Sequence, residues 1–293
     1  MLPGKLGVWA GLDGLSAKDA LAFAQRTEAR GFTTLWMPES RGRNVLVMSA
    51  FILAGTSRLN VATGIANIYA RDAMAAASAQ KQLAEQSGNR FLLGLGVSHK
   101  PIVSGIRGHD YGKPVATMRA YLAAMRAAPY QAPMPSEPPR TVIAALGPKM
   151  LELAREMADG AHPYCVTPEH TAEARRILGA GKLLCPEVMV LLETDAAKAR
   201  AAARQALSFY IGLENYANNW RRLGFGDDDL AGGGSDRFVD ANVAWGDEAA
   251  IRRRLQLYYD AGADHVCIQA IHPSGSRSII DERIFDLLAP AKS

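Results

Sequence analysis

The sequence predicts an α/β fold, a single (β/α)8 TIM barrel over residues 1–293, on three observations. Short β-rich runs alternate with helical patterns eight times along the chain. The strands read as nearly unbroken apolar runs, such as Phe91-Leu92-Leu93-Gly94-Leu95, the pattern of a parallel sheet covered on its outer face. The first strand–helix turn, Trp9-Ala10-Gly11-Leu12-Asp13-Gly14, lacks the GxGxxG spacing of a doubly wound nucleotide-binding sheet.

The elements follow in order. Lys5–Trp9 is the first strand, and Ala17–Arg30 a helix with Ser16 as its N-cap and Gly31 as its stop. Thr33–Met37 is the second strand, followed by a helix from about Asn44 to Ala54. Leu59–Thr63 and Phe91–Leu95 are strands three and four, joined across the Ala-rich helix Asp72–Gln86. Tyr111–Ala127 is helical, Pro129–Pro139 a proline-rich connector, and Arg140–Ala145 strand five. Lys149–Ala158 is a helix with Pro148 near its start, where a fixed φ is tolerated. Gly160–Val166 is strand six, Pro168–Leu178 a helix capped by Thr167, and Pro186–Leu192 strand seven. Ala196–Ile211 is a long helix, 247–260 another, Asp264–Ala270 strand eight and Asp281–Leu288 the closing helix. Glu214–Asn242 is an excursion between strands seven and eight, an insertion of about 213–243 read as a flap over the barrel mouth or an oligomer contact.

Composition narrows the function. Hydrophobic residues make up 48% and charged residues 21%, ordinary for a globular enzyme. The formal charge of +4 is mild, and basic residues sit beside acids with no aromatic-interleaved stripe, which argues against nucleic acid. No apolar run approaches the ~20 residues that cross a bilayer. The start, MLPGKLGVWAGL, lacks the apolar core and cleavage site of a secretory signal, so a cytoplasmic protein is expected. Cys165, Cys185 and Cys267 are isolated in apolar runs, which predicts reduced thiols and no metal site.

In a barrel, chemistry gathers where strands end. Glu39 and Ser40 follow strand two; Glu39 either accepts a hydrogen bond from a ligand, or caps the next helix or pairs with Arg41 or Arg43. Gly64-Ile65 ends strand three, where glycine permits a bulge that turns Ile65 toward the axis. Asn67, Tyr69 and Arg71 then offer an amide, a phenol and a cation for an anionic group, or else a capping Asn and a surface Arg. After strand four, Gly94-x-Gly96-Val97-Ser98-His99 presents backbone amides and an imidazole suited to proton transfer. Ala144-Ala145-Leu146-Gly147-Pro148-Lys149 opens a helix with free amides, which suits a phosphate. His162 reads as a structural histidine, and Trp9 and Trp36 as strand-end aromatics, Trp36 belonging to the core. No Ser-His-Asp order, HExxH or paired carboxylates stand out, so a bound cofactor would carry the chemistry.

The runs ATGIANIYARD, FLLGLGVSH and AALGPKMLELAREMADGAHPYCVTPEH resemble the bacterial luciferase-like monooxygenase superfamily, and within it the coenzyme F-420-dependent oxidoreductases of actinobacteria and archaea. The resemblance spans about Lys5 to Ile271 and implies a barrel holding the deazaflavin in its C-terminal mouth. It places a non-prolyl cis peptide at Gly64-Ile65, with Ile65 behind the ring. Ala66 and Asn67, with Gly96-Val97-Ser98, would line the chromophore and its ribityl chain, and Ala145-Leu146-Gly147-Pro148 would hold the phosphate. His99, Glu39 and Ser40 are the catalytic candidates, and Trp9, Tyr69 and Arg71 the substrate-facing ones. The family's sugar-phosphate dehydrogenases have a histidine where this chain has Ser40 and a glutamate near His99, which argues against sugar-phosphate oxidation. Ala73 stands in place of the usual proline. The expected function is hydride transfer between the deazaflavin C5 and a small organic substrate, by a homodimer. The alternatives are an FMN-dependent two-component monooxygenase, a catalytically silent flavin- or deazaflavin-binding barrel and, third, an unrelated phosphosugar isomerase.

Overall fold

The apolar runs lie side by side and pair in parallel throughout. The structure is a computed structural model describing residues 4–290, so the first and last three residues of the expected domain, and the start of the supposed leader-free terminus, lie outside it. The strands are β1 (Leu6–Trp9), β2 (Thr34–Met37), β3 (Asn60–Thr63), β4 (Ala66–Asn67), β5 (Phe91–Gly96), β6 (Thr141–Ile143), β7 (Gly160–Ala161), β8 (Leu183–Leu184), β9 (Glu187–Leu192), β10 (Val243–Gly246) and β11 (Val266–Ala270). They neighbour one another in the order β10-β9-β11-β1-β2-β3-β5-β6-β7-β8, with β4 beside β5.

The path closes because β8 and β9 are separated only by Cys185 and Pro186. The N–H groups of Cys185 and Glu187 donate to Ala161 and Pro163 on one side, at 2.9 Å each. On the other side the Cys267 N–H donates to the Pro186 carbonyl at 3.1 Å. With β3/β4 and β8/β9 each taken as one interrupted strand, eight strands form the barrel, and β10 is an extra edge on β9.

Three expectations change. Strand six is only Gly160–Ala161, because Pro163 has no N–H to continue the ladder and Cys165 takes a left-handed φ of 52°. The predicted helix from Tyr111 begins at Pro114, and Lys100–Val103 forms an extra helical turn. The excursion is ordered into helices Glu214–Arg222, Asp227–Leu230 and Asp236–Asn242, and leads into β10, which apolar periodicity alone does not reveal in Val-Ala-Trp-Gly. The capping predictions agree with the structure: Ser16 Oγ accepts from the Asp19 N–H at 3.1 Å and Thr167 Oγ1 from the His170 N–H at 3.4 Å.

Two cores result. One fills the space between barrel and outer helices. A second gathers helix Ala196–Ile211 and the excursion helices around Trp220, Phe238 and Leu207. Inside the barrel, Trp36 Nε1–H donates to His265 Nε2 at 2.9 Å, while His265 Nδ1–H donates to the Gly4 carbonyl at 2.8 Å, plugging the N-terminal end. Gly7 makes room for that imidazole, since a Cβ there would stand 2.7 Å from it. All three cysteines are free and buried. Among the described residues no helix is long and apolar enough to cross a membrane, and no group of side chains could hold a metal.

Candidate active site

Gly64-Ile65 sits between β3 and β4, both of which pair with β5, so the two residues leave the ladder as a bulge, and their peptide bond is cis. Thr63 Oγ1 fills the gap by accepting from the Gly94 N–H at 2.8 Å and donating to the Gly94 carbonyl at 2.7 Å. Glu39 brackets the bulge. Its main-chain N–H holds the Ile65 carbonyl at 3.1 Å, and its Oε2 accepts from the Asn67 N–H at 2.9 Å. Its Oε1 pairs with Arg71 Nη2. Trp9 Nε1–H donates to the Gly64 carbonyl at 3.0 Å. Ile65 thus packs on Gly96, where a Cβ would come within 2.5 Å of it.

Above this bulge a cavity of about 1120 Å³ opens at the strand ends. Gly64, Ile65, Gly96, Val97, Ser98, His99, Trp9, Glu39 and Ser40 line it, as do Ala145, Leu146, Gly147 and Pro148. Four of the expected residues are not among its walls. Ala66 is buried in β4; Asn67 caps the next turn, its Oδ1 accepting from the Tyr69 N–H at 3.0 Å. Tyr69 stacks on Tyr111, 6.1 Å between centroids, and its hydroxyl donates to the Tyr111 carbonyl. Arg71 is spent on Glu39, so neither the cation nor the carboxylate is free in the manner expected from strand-end position alone.

The turn 144–148 is held open from behind. Ala144 N–H donates to Leu95 at 2.8 Å, and the Leu146 carbonyl accepts from His170 Nε2 at 2.8 Å and Arg222 Nη2 at 3.3 Å. Gly147 is the N-cap of helix Pro148–Met157 and brings no capping side chain. Pro148 has no N–H and Met150 N–H donates to the Gly147 carbonyl, so the Lys149 N–H remains at this cavity-lining, positive helix end.

From Trp9, beside the bulge, an aromatic row continues into tyrosines that strand-end reasoning did not reach. Trp9, Tyr164, Tyr210 and Tyr216 follow one another with centroids 5.2, 5.1 and 5.0 Å apart, and His99 lies 5.7 Å from Tyr216. The Tyr164 hydroxyl donates to Gln269 Oε1 at 2.6 Å and accepts from Tyr210 at 2.7 Å. Tyr210 lies near the end of a helix and Tyr216 belongs to the excursion, so part of the excursion lines the cavity mouth.

Burial lowers the pKa of His99 below the usual imidazole value, partly countered by a hydrogen bond with Asn215, and its Nδ1 has no partner. His162, read from sequence as structural, also lines the cavity. Its Nδ1–H donates to the Cys185 carbonyl at 2.7 Å, which leaves Nε2 a bare, buried acceptor, and burial pushes its pKa down to about 4.

Comparisons with known proteins bear on the fold and the family. A putative coenzyme F-420-dependent oxidoreductase of Mycobacterium tuberculosis is 26% identical over 91% of this chain and 94% of its own. A coenzyme F-420-dependent tetrahydromethanopterin reductase from Methanopyrus kandleri superposes with a TM-score of 0.73 at 16% identity, covering 98% of both chains. A type II Baeyer–Villiger monooxygenase of Pseudomonas putida, solved with FMN, has a TM-score of 0.68 at 13% identity, covering 99% of this chain and 98% of that one. The sequence model of the luciferase-like monooxygenase family matches residues 1–265. Since those residues hold every strand but β11 and every cavity wall but Arg277, the chain belongs to the luciferase-like monooxygenase family, a family of enzymes.

Proposed function

We propose that this chain is a deazaflavin (coenzyme F-420)-dependent oxidoreductase acting on a small organic substrate. The observation that carries the reading is the bulge: Ile65 stands proud of the sheet between Gly64 and Gly96, an apolar backstop for one face of a planar ring. The cavity fits such a group in three further ways. Its size exceeds the ~300–1,000 Å³ of ordinary ligand pockets, as a ring with a long phosphorylated tail requires. His99 Nδ1 and His162 Nε2 are buried there without partners. At Gly147 an added Cβ would meet nothing within 4 Å, so the turn leaves an open cradle at a helix N-terminus. The name of the mycobacterial relative points the same way.

Bound there, the deazaflavin supplies a hydride donor or acceptor at its C5. The residues of the chain do the rest. Ile65 would back one ring face, and Tyr164, Tyr210 and Tyr216, which line the same cavity, would meet a substrate on the other. His99, neutral at pH 7, holds or takes at Nδ1 the proton that a carbonyl–alcohol interconversion needs. The aromatic row excludes water from that proton transfer.

An FMN-dependent two-component monooxygenase is the second reading, because the same backstop and cradle accept either tricyclic ring. Fluorescence titration with oxidised coenzyme F-420 and, separately, with FMN tests both. Saturable binding of the deazaflavin alone supports the proposal; binding of FMN alone moves the chain to the monooxygenases. Binding of neither by folded protein overturns both.

A further inference from the structure

We propose that the substrate is an organic anion, with its apolar body in the main cavity and its carboxylate or phosphate group among Arg41, Arg43 and Arg107. The proposal deepens the oxidoreductase reading and rests on it for the main cavity being the active site. Beside Glu39 a second pocket of about 420 Å³ opens. It shares Glu39, Ser40, Arg41, Ile102 and Ile106 with the main cavity, so one molecule can occupy both.

Four arginines bound this side pocket and only one carboxylate does. Glu39 and Arg71 cancel one another as a buried pair. Among the described residues, Arg41, Arg43 and Arg107 have no carboxylate partner in an ion pair. Arg43 donates to the carbonyl oxygens of Leu12 and Leu15, and Arg107 to that of Ser40 at 3.3 Å. Those acceptors are neutral, so the guanidinium groups keep their charge. The nearby Asp13 accepts the main-chain N–H of Arg43 and does not line the pocket. Arg71 Nη1 is itself buried with no hydrogen-bond partner.

Three like charges around one concavity repel one another, and a forked anion relieves that repulsion with charge-assisted hydrogen bonds. Ile102 and Ile106 form the apolar bridge between the two spaces. The substrate class that satisfies both is a molecule with an apolar or aromatic body and an anionic end, and small neutral alcohols or ketones leave the side pocket unsatisfied.

Isothermal titration of the full chain with benzoate, phenyl phosphate and neutral benzamide tests this, in wild type and in the double variant Arg41→Gln/Arg107→Gln. The expected result is anion binding at least tenfold tighter than benzamide, lost at least tenfold in the variant and weakened by salt, with benzamide unaffected. Benzoate against phenyl phosphate tells which anion the pocket prefers. Equal binding of benzoate and benzamide, or anion binding indifferent to the variant, overturns the proposal. Coenzyme F-420 is titrated into the same variant. Lost cofactor affinity with unchanged benzoate binding assigns the pocket to the cofactor's own anionic groups and also overturns it. If wild-type protein binds no coenzyme F-420 yet distinguishes benzoate from benzamide, the cofactor reading falls while the anion site stands.

Discussion

Trp36 and His162 lie face to face inside the barrel, ring centroids 4.3 Å apart and planes inclined by 15°. His162 keeps its proton on Nδ1 for the Cys185 carbonyl. Protonating Nε2 would place a charge where nothing accepts it.

Acid sensitivity follows. His162, His170 and His265 are all pushed down to about 4 by burial. Between pH 6.5 and 4 the unfolded chain binds three protons there that the folded chain refuses, so the histidines' contribution is full above 6.5 and falls as pH drops. The three together cost about 4 kcal/mol per pH unit in that window. Net of the opposing Glu187 carboxyl, urea denaturation between pH 6.5 and 5 should show a slope of about 2.7 kcal/mol per unit, and His162→Phe should reduce it by about half; an unchanged slope would refute the assignment of His162 as neutral.

Glu187 works in the opposite direction. Its carboxyl is fully buried, Oε2 accepting from the Cys165 N–H at 3.1 Å and Oε1 without a partner, and burial pushes its pKa up to about 8. The folded chain binds an extra proton between pH 4.5 and 8, so stability falls as pH rises through that window, by about 1.4 kcal/mol per unit. Below pH 6.5 the three histidines outweigh it; above, it acts alone. Wild type should therefore lose stability from pH 6.5 to 8.5 and Glu187→Gln should not, as read by denaturation midpoints.

The Glu39–Arg71 pair is a structural clamp. The two side chains are 4% and 9% exposed, so removing one leaves the other buried and unpaired. Arg71→Met should cost about 3–5 kcal/mol, and Glu39→Met/Arg71→Met less than either single change. A double variant as unstable as the sum of both singles would contradict the clamp.

Two glycines separate folding from ligand binding. Gly96→Ala puts a methyl 2.5 Å from Ile65 Cγ1 and must displace the backstop, whereas Gly147→Ala meets nothing within 4 Å. Gly147→Ala should leave the melting temperature unchanged and weaken coenzyme F-420 binding severalfold. Gly96→Ala should lower both. Unaltered cofactor affinity in both variants would argue against the bulge and the turn as its cradle.

The alternation of apolar runs made the barrel legible, because strands buried on both faces cannot conceal their hydrophobicity. The ends of strands three, four and five were legible too, through Gly64, Gly96 and Gly147, since glycine marks close backbone approach. Arg71 and Glu39 were not, because a sequence gives each residue's charge but not its partner 32 residues away. Tyr164, Tyr210 and Tyr216 were hidden for another reason. They reach the cavity from a proline-broken strand, a helix end and an excursion, none of which repeats with the barrel's period.

The second hydrophobic core, built on Trp220 and Phe238, carries Tyr210 and Tyr216 but not Ile65, Gly96 or Gly147. That core also takes in Met189 and Leu191 of β9 and Val243 of β10, so it rests on one side of the barrel, and amide exchange in its helices can differ from that in the strands around Gly64. Mutational drift is partitioned in the same way. Changes that reshape what these tyrosines admit need not disturb the strands around Gly64, so new specificities can be sampled without reinventing the scaffold.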